Sequence, residues 1–154
     1  MNNAAFLMSS FPNINFVFDP RMPEVQKGLY VDNVVYLNPR QNQKELYGVI
    51  SEEIGHHYTS SGIIRNQKAV ETRKQERKAR LFGSELTVTP DSLILAKKDG
   101  CRSEWETAEF LGVTVEHLRQ ALRLYKEEYG IRFIYKGYLF KFGTADTLYI
   151  KKMS

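Results

Sequence analysis

The sequence predicts an α+β fold: a small, mainly antiparallel sheet packed on a helix pair, then a helix-turn-helix-like unit and a β-hairpin. Three observations carry this. Short β-rich runs bounded by turn dipeptides occupy residues 14–37 and 131–151. Between them, apolar residues recur at helical spacing. Cap residues stand at the ends of those helical stretches. With 154 residues, 42% of them hydrophobic, the chain can bury a real core. A soft boundary near residues 99–102 divides a core, 1–98, from a helical unit with a hairpin, 99–154, expected to pack on it as one compact body.

The first strand is "INFVF", residues 14–18, ended by Asp19-Pro20 because proline fixes φ and lacks an N–H. Two more strands, about 28–32 and 34–37, flank Asp32-Asn33, a dipeptide that tolerates the positive φ of a tight hairpin. A helix should begin after Asn42, with Glu45 closing a capping box, and run to about Tyr58. Leu46, Val49, Ile50 and Ile54 form its apolar stripe, and "TSSG" at 59–62 ends it.

A second helix spans roughly 67–86 and stops before Thr89-Pro90; a short helix follows at 90–98. Helices at 103–111 and 115–129 are joined by "GV". Ser103 with Glu106 reads as a capping box, Gly112 as the C-terminal stop, Thr114 as an N-cap and Gly130 as the last stop. The tail alternates aromatic and polar residues around Lys136-Gly137, which predicts a hairpin plus a short third strand. Trp105 and the tail's aromatics are expected in the core.

Composition excludes several classes. The N-terminal "MNNAAFLMSS" has no basic residue before its few apolar ones, unlike a signal peptide or membrane anchor. No stretch approaches the roughly 18 apolar residues of a membrane span. The single cysteine, Cys101, cannot close a disulfide within the chain, so a cytoplasmic setting is expected. Net charge is +4, but Arg65, Lys68, Arg73, Lys74, Arg77, Lys78 and Arg80 outweigh Glu71 and Glu76 to give +5 over residues 65–80. A solvated helix face is the plain reading of that run.

The chemistry concentrates in "SEEIGHHYTSSG", residues 51–62. Metal-dependent peptidases often carry H-E-x-x-H on a helix, since residues four apart face one ion while the inner Glu handles its water. Here the register reads Glu52-Glu53-Ile54-Gly55-His56, with Glu52 in the place of the first histidine. A carboxylate can still ligate zinc, and Glu52 and His56 keep the i, i+4 relation. In the next helix Ala69, Thr72, Glu76, Ala79 and Gly83 share a face of mostly small residues, which allows close helix approach. Glu76 at its centre would be costly to bury without a cation, which makes it the candidate third ligand. His57 points about 100° from His56 and is expected beside the site. Arg80, about 40° from Glu76, could pair with a site acid or orient a substrate carbonyl. Spacing alone leaves two readings open: a metal-holding turn, or a solvated acidic helix end.

The order "VVYLNP", "LYGVISEEIGHHYTSSG", "KQERKARLFGSELTVTP" and "GCRSEWETAEFLGVTVEHLRQALRLYKEEYG" resembles the ImmA/IrrE family of metallopeptidases, in its small phage- or mobile-element-encoded branch. The resemblance covers about residues 24–142. It implies a minimal zincin-like core with a metal-bearing helix pair, Glu53 as catalytic base, and His56 and Glu76 as metal ligands, with Glu52 where the family has histidine. It also implies zinc as the metal and a helix-turn-helix repressor as the substrate or binding partner. Glu52 bears on the metal: two carboxylates and one imidazole neutralise a divalent ion, which weakens its acidifying effect and favours harder ions such as Mn²⁺. Two rivals stand beside an endopeptidase: a catalytically weak or inactive member that binds a repressor, and a DNA-binding regulator. Against the second, residues 115–129 carry Arg119, Arg123 and Lys126 balanced by Glu116, Glu127 and Glu128, and a zero-sum helix attracts phosphate poorly.

Overall fold

A computed structural model describes residues 2–60, 69–144 and 147–154. They form an α+β chain that divides into two compact units, Met1–Thr87 and Val88–Ser154. The division falls at 87/88 rather than near residue 99, so the helix at 90–98 groups with the C-terminal half.

The first unit opens with α1 (Asn3–Ser9), which the sequence does not predict. The Asn2 side chain accepts from the Ala5 N–H at 2.8 Å and caps it. Ala4 and Leu7 on its inner face join a core of Ile14, Val35, Leu37, Leu46, Ile50 and Ile54. β1 (Asn15–Phe18), β2 (Gly28–Val31) and β3 (Val34–Leu37) form one sheet in the order β1-β3-β2. β2 and β3 are antiparallel, and Asp32 (φ 49°) and Asn33 (φ 69°) make the expected tight turn. β1, however, pairs with β3 in parallel, so this sheet is mixed rather than mainly antiparallel.

α2 (Gln43–Thr59) carries the capping box in full: Asn42 accepts from the Glu45 N–H and Glu45 accepts from the Asn42 N–H. Leu46, Ile50 and Ile54 are buried and Val49 packs against the same core. α3 (Ala69–Thr87) lies along α2. The expected stop at 59–62 and the expected start of the second helix at 67 fall partly or wholly outside the described residues. The two helices touch backbone to backbone. A Cβ added at Gly55 would stand 2.1 Å from the Ala79 carbonyl oxygen, and one at Gly83 would stand 2.8 Å from that of Ser51. Side chains of any size at these two positions would force the helices apart.

The second unit contains α4 (Pro90–Lys98), α5 (Glu104–Leu111) and α6 (Val115–Tyr129), followed by β4 (Arg132–Tyr135), β5 (Tyr138–Phe142) and β6 (Leu148–Lys152). Thr89, Ser103 and Thr114 cap their helices, and Gly112 (φ 74°) ends α5 in the left-handed region. At Ser103 the reciprocal half of the box differs from expectation, because the Glu106 carboxylate accepts from the Ser103 hydroxyl at 3.1 Å. β4, β5 and β6 form an antiparallel sheet, with Lys136 (φ 46°) and Gly137 (φ 81°) in the first turn. Ala108, Val113, Leu118, Tyr125 and Phe140 are buried, and the Tyr125 hydroxyl donates to the Val88 carbonyl at 2.7 Å. Trp105, expected in the core, is 63% exposed: it sits in the first turn of an eight-residue helix whose inward face is set by Ala108 and Leu111. Arg119 of α6 is held by Glu104, its Nε donating at 2.9 Å.

Candidate metal centre

The α2–α3 contact fixes the site. Because Gly55 and Gly83 allow the backbones to meet, Glu52 and His56 on α2, three residues before Gly55 and one after it, and Glu76 on α3, two turns before Gly83, project across the same seam. His56 Nε2 stands 3.3 Å from Glu76 Oε2. One ligand-capable atom from each of Glu52, His56 and Glu76 lies within 4.8 Å of the others, the group of its kind among the described residues. These are the three candidate ligands named from the sequence, and the fold brings them together.

The donor set fits a divalent cation. Ligands bound at about 2.0–2.1 Å to a tetrahedral zinc stand roughly 3.3–3.4 Å apart, the separation of His56 from Glu76. Glu52 offers its oxygen within 4.8 Å of both, on a side chain that is 30% exposed. Among the described residues, Arg80 Nε reaches Glu52 Oε1 at 3.4 Å, and His56 stands beside Glu76.

Glu53 stands on the sheet side of α2, against β2. A Cβ on Gly28 would lie 3.2 Å from its Cγ and 2.5 Å from Val49, so glycine is what lets the strand approach. Half-buried, Glu53 has its pKa pushed up to about 8, first by burial and then by the negative charges of Glu52 and Glu76. A carboxyl poised near neutrality beside a cluster of ligands suits proton transfer.

His57 does not join the cluster. Its Nδ1 shares a 2.9 Å hydrogen bond with the Tyr30 hydroxyl, and its ring meets Tyr30 and Tyr58 edge-on. Tyr30 and Gly28 are neighbours of the site that the sequence reading did not single out. The signal was available: they alternate along β2, on the face turned toward α2. Among the described residues a cleft of about 640 Å³ lies elsewhere, between α4, α5, α6 and β6.

An α+β unit with a paired-helix cluster of one imidazole and two carboxylates, and a third acid beside it, has the layout of a metallopeptidase. The Peptidase M78 family, described as the IrrE N-terminal-like domain, matches residues 12–123. The chain belongs to that family. No curated protein matches it. Among the described residues no helix is long and apolar enough to cross a membrane.

Proposed function

We propose that the chain is a metal-dependent endopeptidase that cuts a helix-turn-helix repressor of a phage or mobile element in the cytoplasm. The convergence of Glu52, His56 and Glu76 from two helices, with the half-buried Glu53 alongside, carries this reading. Membership of a metallopeptidase family supports it, and the repressor as substrate rests on the resemblance within that family.

Glu52, His56 and Glu76 would hold the ion, zinc by family or a harder ion such as Mn²⁺ on account of Glu52. When bound, a divalent ion supplies Lewis acidity toward water and the scissile carbonyl. Glu53 takes the proton of the attacking water on its carboxylate and returns it to the leaving amine. A cation held by Glu52 and Glu76 cancels two of the three causes that raise its pKa, leaving burial. His57, fixed by Tyr30, lines the flank of the site without ligating.

A second reading keeps the fold and the partner but not the cutting. It is favoured by one observation: Glu52, in place of histidine, is already engaged by Arg80. Incubating the purified chain with the repressor, with and without chelator, separates the two. Chelator-sensitive fragments support the peptidase; a stable complex without fragments supports the binder. A direct DNA contact is no part of this proposal, since Arg119 of α6 is held by Glu104.

A further inference from the structure

Arg80 stands on α3 one helical turn beyond Glu76 and reaches across the seam to Glu52, Nε to Oε1 at 3.4 Å. The contact is single, at the long end of hydrogen bonding, and the Arg80 side chain is 47% exposed. Such a contact does little to orient a carboxylate, but it holds a full positive charge beside the cluster. The charge matters because of what Glu52 replaces. Two histidines and a glutamate leave a divalent ion with one positive charge, whereas Glu52, His56 and Glu76 leave none. Adding the guanidinium that Glu52 holds returns the sum to one.

We propose that Arg80 is the counter-charge to Glu52. The Glu52–Arg80 pair acts as the electrical equivalent of a neutral histidine, so it sets metal affinity well below what two free carboxylates would give. This rests on the metal-site reading above and adds a residue that no ligand motif contains. It makes a directional claim. Removing Arg80 should strengthen metal binding, although it removes a hydrogen bond to a proposed ligand. The effect should also depend on Glu52, because among the described residues Glu52 is the acid that the guanidinium contacts.

The test is a cycle of four full-length proteins: wild type, Arg80→Met, Glu52→His and the double variant. Each is stripped of metal, and its Zn²⁺ affinity is measured by competition with a chromophoric chelator. A unit charge a few ångströms from a divalent ion changes affinity on the order of tenfold even at the dielectric of water. Arg80→Met should therefore bind Zn²⁺ about tenfold more tightly with Glu52 present, and within about threefold of its parent with His at 52. Circular dichroism on each variant verifies that the fold is kept. Weaker binding by Arg80→Met would overturn the proposal and make Arg80 an orienting ligand to Glu52. Equal effects in both backgrounds would also overturn it, because the pair would then not act as a unit. If none of the four binds Zn²⁺, the metal site itself fails; if wild type binds and the cycle shows no coupling, only the role of Arg80 fails.

Discussion

His56 and Glu76 sit on different helices, yet Nε2 of one lies 3.3 Å from Oε2 of the other. An imidazole and a carboxylate this close stand at the separation of two ligands on one tetrahedral metal ion. The two small residues at the seam, Gly55 and Gly83, are what permit the distance.

Gly55 gives the sharpest test of that packing. In an ordinary helix interior, Gly→Ala stabilises by about 0.5–1 kcal/mol. At Gly55 the new methyl would meet the Ala79 carbonyl at 2.1 Å, so the sign should reverse. Gly55→Ala is expected to lose about 1–3 kcal/mol in urea unfolding, the range for overpacking, and to weaken metal binding as α3 is displaced. A gain in stability would show that the seam is looser than drawn here.

Glu53 is assigned proton transfer and not ligation. Glu53→Gln should therefore retain the metal content of wild type, measured by elemental analysis, while cleavage of the repressor falls by about 10²–10⁴-fold. Loss of metal together with activity would move Glu53 into the ligand set.

The second unit offers a test of packing independent of the metal. The Tyr125 hydroxyl donates to the carbonyl of Val88, both fully or almost fully buried. Tyr125→Phe removes the donor and leaves a buried acceptor, which should cost about 1–3 kcal/mol in urea unfolding. A neutral outcome would mean that the carbonyl finds another donor.

His117 sets a pH dependence. Burial lowers its pKa to about 4 from 6.5, so the folded protein holds it neutral. The unfolded chain takes up the proton first as pH falls. Its contribution is thus fully present above pH 6.5 and is lost as pH drops from 6.5 through 4, by at most about 3 kcal/mol. The stability of wild type relative to His117→Gln, measured by urea unfolding at pH 7 and pH 4, should fall by an amount of that order. An unchanged difference would place His117 in water.

Much of this was legible in the sequence because it is encoded locally. Asp32-Asn33 and Lys136-Gly137 announce their turns through residues that accept positive φ. Asn42 and Glu45 announce α2 through the capping box. Even the ligand cluster was readable, since a lone acid on a face of small residues asks for a cation, and helical spacing names His56 and Glu52 as its partners. What was missed depends on distant pairing or on packing. The parallel β1–β3 register joins strands with β2 between them in the chain, and nothing in "INFVF" specifies which neighbour it takes. α1 is seven residues long, too short for periodicity to reveal, and its burial comes from the partners it meets. Trp105 is exposed because its neighbours turn the helix, a fact that hydrophobicity alone does not carry.

If the seam between α2 and α3 is a metal site, the chain holds one ion through residues of both helices. Equilibrium dialysis of purified wild type, His56→Ala and Glu76→Gln against Zn²⁺ and Mn²⁺, followed by elemental analysis, measures this. One ion per wild-type chain, lost or greatly weakened in each variant while the fold is kept, is the predicted result. A wild-type chain without an ion, or an ion that survives both substitutions, would contradict it.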